Sequence, residues 1–369
     1  LLIGQETHDL DFAVQGSGLS LARYLAEQLG GSFVALDRKR RTGRVLLSRP
    51  TNSPQYLDVA SLRGDDLLAD LKGRDFTLNA IAIAPTKDGN WQIHDPLKGR
   101  QDLSQDILRM ASLSSFDDDP VRTLRAVRMQ LQFSCRIEPR TRARLSKAVS
   151  LLHRVSAERV RDEWFKILQL TDTATALDEM DQLGLLQEIA PPIAHSKDLG
   201  HALDTVRATE RLWATLGGTS ARTHPGGELP LSESLRALGP HIRQRYTDQI
   251  CDERSYLALL KCAALLHSAG AAPTTLAERW RLSKREADLL QTATRHYPDV
   301  ATLAEQANTG RRAIYRFFSQ TGEPGIDSAI LSLAHTMAER GGEQERGNWM
   351  LQTQTVGRLL EAWFEHQGT

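Results

Sequence analysis

Hydrophobic and polar positions alternate in the front of the chain and recur at helical spacing behind it, with the change near Asp119-Pro120. Asp9 to Val14 alternates with the two-residue period of a strand. Leu21, Leu25 and Leu29 then recur at helical spacing and run into Gly30-Gly31, a pair suited to closing a helix in the left-handed region. Ser32 to Leu36, Arg44 to Leu47 and Gln55 to Ala60 predict strands, separated by Asp37-Arg38-Lys39-Arg40 and by turns around Pro50 and Pro54. Ile81 to Ala84 and Trp91 to His94 flank Asp88-Gly89-Asn90, a hairpin signal. Past Asp119 as N-cap and Pro120 as first helical residue, Leu124, Val127 and Leu131 share one face. A further helix is predicted from about Ser156 to Gln169, and an apolar one from Leu257 to Leu266, with Gly217 to Gly227 as a small, polar linker. The pattern predicts an α+β fold: a small, mostly antiparallel sheet with helical cover, followed by an all-α rear.

At 369 residues, 40% hydrophobic and 25% charged, the composition excludes disorder and rods and leaves room for two or three domains. Lys+Arg and Asp+Glu are both 46, a balance that does not exclude a nucleic-acid partner, because acidic and basic surfaces cancel in the sum. Cys135, Cys251 and Cys262 lie far apart in no ligand-like spacing, which argues against disulfides and structural zinc and predicts a reducing, cytoplasmic setting. The longest apolar stretch, Tyr256 to Leu266, is interrupted by Lys261 and is short of the roughly 20 residues that span a bilayer, so no membrane partner is expected. Leu1-Leu2-Ile3-Gly4 has neither an initiating Met nor a basic segment before an apolar run, and an N-terminal truncation is expected. Nothing here sets the oligomeric state.

Three constellations carry chemistry. In His8-Asp9-Leu10-Asp11-Phe12 the strand period puts the carboxylates of Asp9 and Asp11 on one face, a bed for Mg²⁺, while Leu10 and Phe12 are expected to point into the core. A lone pair of this kind is more often a solvated strand end. Arg74-Asp75-Phe76-Thr77-Leu78-Asn79-Ala80 joins a charged pair, an aromatic ring and small polar groups ahead of an apolar strand. In Phe116-Asp117-Asp118-Asp119-Pro120-Val121-Arg122, followed by Arg125 and Arg128, Asp119 and Arg122 sit one helical turn apart, a carboxylate acceptor beside a planar donor. Alone, the last would more often be a capped helix with a surface ion pair.

Together, and with Asp95-Pro96, Gly99, Asp102-Leu103 and Ser156-Ala157-Glu158-Arg159-Val160, these blocks closely resemble the class II tRNA nucleotidyltransferases, or CCA-adding enzymes, and the related bacterial poly(A) polymerases. The resemblance covers roughly the first 170 residues. It implies a polymerase-beta-like nucleotidyltransferase head over 1–110, a helical neck over 111–170 and a helical, tRNA-binding body and tail over 171–369. It also implies transfer of CMP or AMP from CTP or ATP to the tRNA 3′ end, with two Mg²⁺ held by Asp9 and Asp11 and with Asp58 as a candidate third catalytic acid. Arg74, Asp75 and Asn79 would line the nucleotide pocket, and Asp118, Asp119 and Arg122 would correspond to the family's Glu-Asp-x-x-Arg base reader. Arg125, Arg128 and Arg159 are placed in the same nucleotide-binding set.

The chain departs from the family in three places. The Gly-Gly-x-x-Arg-Asp that normally precedes the strand carboxylates is not found before Asp9, and only Leu62 to Asp66 stands where CCA-adding relatives carry a longer loop. Relatives lacking that loop tend to add only CC, so CC addition is expected here. Leu265-Leu266-His267-Ser268-Ala269-Gly270 resembles the His-Asp box of an appended phosphohydrolase-like domain. Because Ser268 replaces the Asp, and His195 and His201 bring no full ligand set, no second metal centre is expected. Arg311, Arg312 and Arg316, interleaved with Tyr315, Phe317 and Phe318, suit RNA phosphates as well as an ordinary solvated helix face. A poly(A) polymerase and a catalytically idle RNA-binding relative remain the alternatives.

Overall fold

The computed structural model describes residues 9–38, 40–47, 55–217, 230–251, 253–268, 273–306, 310–339 and 344–366. His8 and most of the expected linker, residues 218–227, lie outside the described residues. The chain divides into two compact units, Leu1–Ser115 and Phe116–Thr369.

The first unit runs β1 (Asp9–Val14), α1 (Gly18–Leu29), β2 (Ser32–Asp37), β3 (Thr42–Leu47), β4 (Gln55–Ser61), α2 (Leu67–Lys72), a 3-10 turn (Thr77–Asn79), β5 (Ala82–Pro85), β6 (Trp91–His94), α3 (Gly99–Ser104) and β7 (Ile107–Leu108). Strands order β1-β4-β3-β2, with β1 and β4 parallel and the other neighbours antiparallel. β5 and β6 form the expected hairpin, in which Gly89 takes φ +78° and the Thr86 amide donates to the Asn90 carbonyl at 2.7 Å.

Helix α1 starts where the Ser17 hydroxyl accepts the Ser20 amide, and ends at Gly30 in the left-handed region. Its small residues Ala22 and Ala26 let it lie close on Val45 and Val59, with Leu21, Leu25, Phe33, Leu47 and Leu57 around them. Leu10 and Phe12 share that apolar face but are 41% and 46% exposed, contrary to the core position expected of them. The reason is topological: β1 is an edge strand, and α1 packs over β2, β3 and β4.

The unit boundary falls inside α4 (Ser115–Asp118). The second unit continues with α5 (Arg122–Gln132), β8 (Arg136–Ile137), α6 (Pro139–Ala148), α7 (Ala157–Leu168), α8 (Thr173–Gln182), α9 (Leu185–Ile189), α10 (Pro191–Ala194) and α11 (Leu199–Gly217). Then come α12 (Glu233–Ala237), α13 (Gly239–Thr247), β9 (Gln249–Cys251), β10 (Arg254–Ser255) and α14 (Tyr256–Leu266). It closes with α15 (Pro273–Arg279), α16 (Lys284–Glu305), α17 (Arg311–Thr321), α18 (Gly325–Ala338) and α19 (Gln344–His366). The rear is therefore not purely helical: Glu253, at φ +60°, helps fold β9 back on β10 ahead of the Ser255 cap of α14.

The centre of this unit is α14, buried along its whole length among α7, α11, α13, α16 and α18. Lys261 is tolerated there because its ammonium donates to the Leu170 carbonyl at 2.6 Å, the Thr173 hydroxyl at 2.9 Å and Glu210 Oε1 at 3.0 Å. Burial pushes the Lys261 pKa down and that of Glu210 up, and the pairing opposes both shifts. The three cysteines are free thiols, and no helix among the described residues is long and apolar enough to cross a membrane.

Candidate active site

The parallel pairing of β1 with β4 sets Asp11 directly across from Asp58 and Asp9 across from Tyr56. By strand alternation Asp11 and Asp58 therefore belong to one face of the sheet, opposite the face that α1 covers. Asp11 is exposed. Asp58 has both carboxylate oxygens bound by Arg44 of β3, at 2.7 Å from Nε and 2.8 Å from Nη2. Cross-strand pairing of Arg44 with Asp58 thus gives the expected third acid a cation of its own, which the sequence did not reveal.

The Arg74 to Ala80 block is built from below. Asp70, in the first turn of α2 and 2% exposed, receives Arg74 Nε at 3.2 Å and Nη2 at 3.0 Å, while its other oxygen accepts the Arg63 amide at 3.0 Å. Asp75 Oδ1 accepts the Phe76 amide at 2.9 Å and the Asn79 side chain at 3.0 Å, winding the 3-10 turn around one buried carboxylate. Phe76 is fully buried beneath it. Thr77 donates to Asp102 Oδ2 at 2.8 Å, and Asp102 in turn holds Arg109. Asp95 accepts the Gly99 and Arg100 amides at 2.6 and 2.9 Å and so starts α3 against the turn. The Asp95, Gly99 and Asp102 positions therefore brace the block. The sequence did not assign Asp70 a role, although its i, i+4 spacing to Arg74 is a readable signal.

A Cβ on Gly99 would sit 2.1 Å from the Thr77 carbonyl oxygen, so no other residue fits without displacing the turn. Gly99→Ala is expected to cost the first unit about 3 kcal/mol, the upper range for overpacking. Thermal melting checks this: the transition should fall by roughly 10 °C or more, and an unchanged melting temperature would show that the turn yields easily.

In the second unit the expected cap is corrected. α5 begins at Arg122 with Val121 as N-cap and no side-chain capping bond, and Asp119 to Val121 form a turn ahead of it. The Asp119 carboxylate accepts from Arg159 Nη2 of α7 at 2.7 Å. Asp119 and Arg122 are 8% and 7% exposed, whereas Asp118 is exposed. Arg125 is half-buried on α5. Arg128 donates to Glu163 of α7 and to Gln132, both at 2.9 Å, which makes it a brace between α5 and α7. On α17, Arg311, Arg312, Tyr315 and Arg316 are exposed while Phe317 is buried. His195 is exposed and bonded to the Pro191 carbonyl, whereas His201 and His267 come together.

Comparison with known proteins decides what this arrangement belongs to. Residues 1–109 match the family profile described as the poly A polymerase head domain, and residues 135–196 match "Probable RNA and SrmB- binding site of polymerase A". The chain is 30% identical over 339 residues to the CC-adding tRNA nucleotidyltransferase of Geobacter sulfurreducens, covering 90% of this chain and 72% of that one. It belongs to the tRNA nucleotidyltransferase and poly(A) polymerase family. As in the rest of this family, the chain is an enzyme fold and not merely a helical scaffold. An A-adding tRNA nucleotidyltransferase from Deinococcus radiodurans is 34% identical over 203 residues, 54% of this chain and 44% of its own length. The Thermotoga maritima CCA-adding enzyme, solved in complex with tRNA, shares the fold at a TM-score of 0.65 and 20% identity, covering 97% of this chain and 74% of that one.

Proposed function

We propose that this nucleotidyltransferase transfers CMP from CTP to the 3′ end of tRNA and stops after CC. The observation that carries the selectivity is the connection from β4 to α2. Only Leu62 to Asp66 lie in it, and it is tied at each end: the Leu62 amide donates to the Val14 carbonyl at 2.9 Å, and the Asp66 carboxylate accepts the Ala69 amide at 2.7 Å. Between them the Arg63 guanidinium holds the Gly73 carbonyl at 2.7 Å. A connection so short and so tied has little freedom to re-form a pocket from C to A. The CC-adding relative, similar along most of its length, supports the same reading.

The chemistry falls to the sheet face of the first unit. Two hard carboxylates on one strand face fit Mg²⁺, so Asp9 and Asp11 would hold it while Arg44 retains Asp58. When bound, Mg²⁺ supplies a nucleophilic 3′-oxygen at neutral pH and neutralises the charge of the departing pyrophosphate. Arg74, aimed by Asp70, provides fixed positive charge to the triphosphate, and Asn79, aimed by Asp75, provides a donor and an acceptor to the ribose. Asp119 and Arg122 read the base edge, with Arg159 setting the orientation of Asp119. We further assign 1–110 as head, 111–170 as neck and 171–369 as body and tail, in which Arg311, Arg312 and Arg316 meet RNA phosphates.

The test is product length at single-nucleotide resolution. Full-length protein, Mg²⁺, CTP and ATP are incubated with tRNAs ending before CCA, after the first C and after CC. Growth is expected to stop at CC with ATP present. Completion to CCA would overturn the selectivity, and long A tracts would identify a poly(A) polymerase instead.

A further inference from the structure

Three imidazoles meet in the helical core of the second unit, brought from helices far apart in sequence: His201 of α11, His267 at the end of α14 and His335 of α18. One nitrogen from each lies within 4.8 Å of the other two. His335 Nδ1 is 3.1 Å from His201 Nε2 and 3.2 Å from His267 Nε2. All three rings are half-buried, and the Tyr297 ring packs edge-on against His267 and inclined against His335, with centroids 5.3 and 5.0 Å away.

The outward-facing nitrogens fix the tautomers. His267 Nδ1 is 2.7 Å from the Ala264 carbonyl, which can only accept, so Nδ1 carries the proton and the Nε2 lone pair faces the cluster. His335 Nε2 is 3.3 Å from Glu339 Oε1, an acceptor-only carboxylate that favours the tautomer with the Nδ1 lone pair turned inward. Two lone pairs 3.2 Å apart repel unless a cation lies between them. Ligand nitrogens about 2.05 Å from a tetrahedral metal are about 3.3 Å apart, close to the two short separations here. The outer carbonyl and carboxylate are the partners that orient metal-bound histidines.

We propose that His201, His267 and His335 form a binding site for a divalent transition metal of the zinc, cobalt or nickel class, leaving one coordination position open. Imidazole nitrogen selects such borderline cations over Mg²⁺, which prefers oxygen. Burial, with the neighbouring imidazoles adding to it, pushes the His267 pKa down to about 4, and burial lowers that of His335. Beside His267, the buried Ser268 hydroxyl has no hydrogen-bond partner among the described residues. The serine that removes the His-Asp box therefore coincides with a different, all-nitrogen donor set, completed by His335, which no local pattern marks.

The experiment uses the full chain, stripped with chelator and kept in excess Mg²⁺ so that the carboxylates of the first unit are occupied. Calorimetric titration with Zn²⁺ should show one ion per chain, and Co²⁺ should give the intense visible bands of a four-coordinate ion. Asp11→Asn should retain both signals, while His201→Ala, His267→Ala and His335→Ala should each weaken binding at least about 100-fold. Where an alanine variant fails to fold, His335→Gln keeps most of the volume without the imidazole, and the Co²⁺ spectrum of the unaltered chain stands independently. Absence of stoichiometric binding in Mg²⁺, a weak six-coordinate Co²⁺ spectrum, or binding that persists equally in the histidine variants would overturn the site and leave a hydrogen-bonded triad only.

Discussion

Asp11→Asn is expected to remove nearly all nucleotide incorporation, by at least about 10³-fold in kcat, or about 4 kcal/mol of transition-state stabilisation. Asparagine keeps the shape of the side chain and deletes the charge, and because Asp11 is exposed on an edge strand the fold should melt within a few degrees of the parent. Binding of tRNA, measured separately, should change little. Asp58→Asn makes the contrast. Its carboxylate is bound at both oxygens by Arg44, so the substitution leaves a half-buried guanidinium without its anion and should lower the melting temperature as well as the rate. Activity of Asp11→Asn within tenfold of the parent would remove β1 from the chemistry. Loss of rate in Asp58→Asn with no loss of stability would make Asp58 a ligand in spite of Arg44.

That contrast marks where the sequence stops being informative. Alternation from Asp9 to Val14 is a local property, and it correctly yields the strand. Gly30 and the Asp88-Gly89-Asn90 turn are likewise local, because each depends on backbone conformations that few residues adopt. The parallel register that puts Asp58 beside Asp11, and the antiparallel one that hands it to Arg44, are set by long-range pairing, on which no local pattern reports. Leu10 and Phe12 show the same limit, since apolar character on a strand says which face is apolar but not how far a helix covers it. At Asp119 two local rules, an Asp cap and a Pro start, lose to a tertiary partner, Arg159, that takes the carboxylate. His335 has no signal at all beside it: it sits in an otherwise buried apolar helix, and only the packing of α18 on α11 and α14 brings it to His201 and His267.

Base selection gives the second large effect, and it separates residues that look alike in sequence. Arg122 and Asp119 are withdrawn from water at 7% and 8% exposure, where a base edge that matches their donor and acceptor pattern is worth about 1–3 kcal/mol over one that does not. Arg122→Ala is therefore expected to lower the preference for CTP over UTP by about 10²-fold in kcat/KM. The readout is a ratio within one variant, which any general loss of folded protein leaves untouched. Arg122→Lys should lose nearly as much, because a compact ammonium cannot present the planar donor edge of a guanidinium. Arg128, two turns on, should behave differently: bound to Glu163 and Gln132, it ties α5 to α7, so Arg128→Ala should cost stability and leave the CTP preference intact. An unchanged ratio in both Arg122 variants would place base reading elsewhere. A ratio that falls in Arg128→Ala would show that selection depends on how α7 presents Arg159 to Asp119, and not on Arg122 alone.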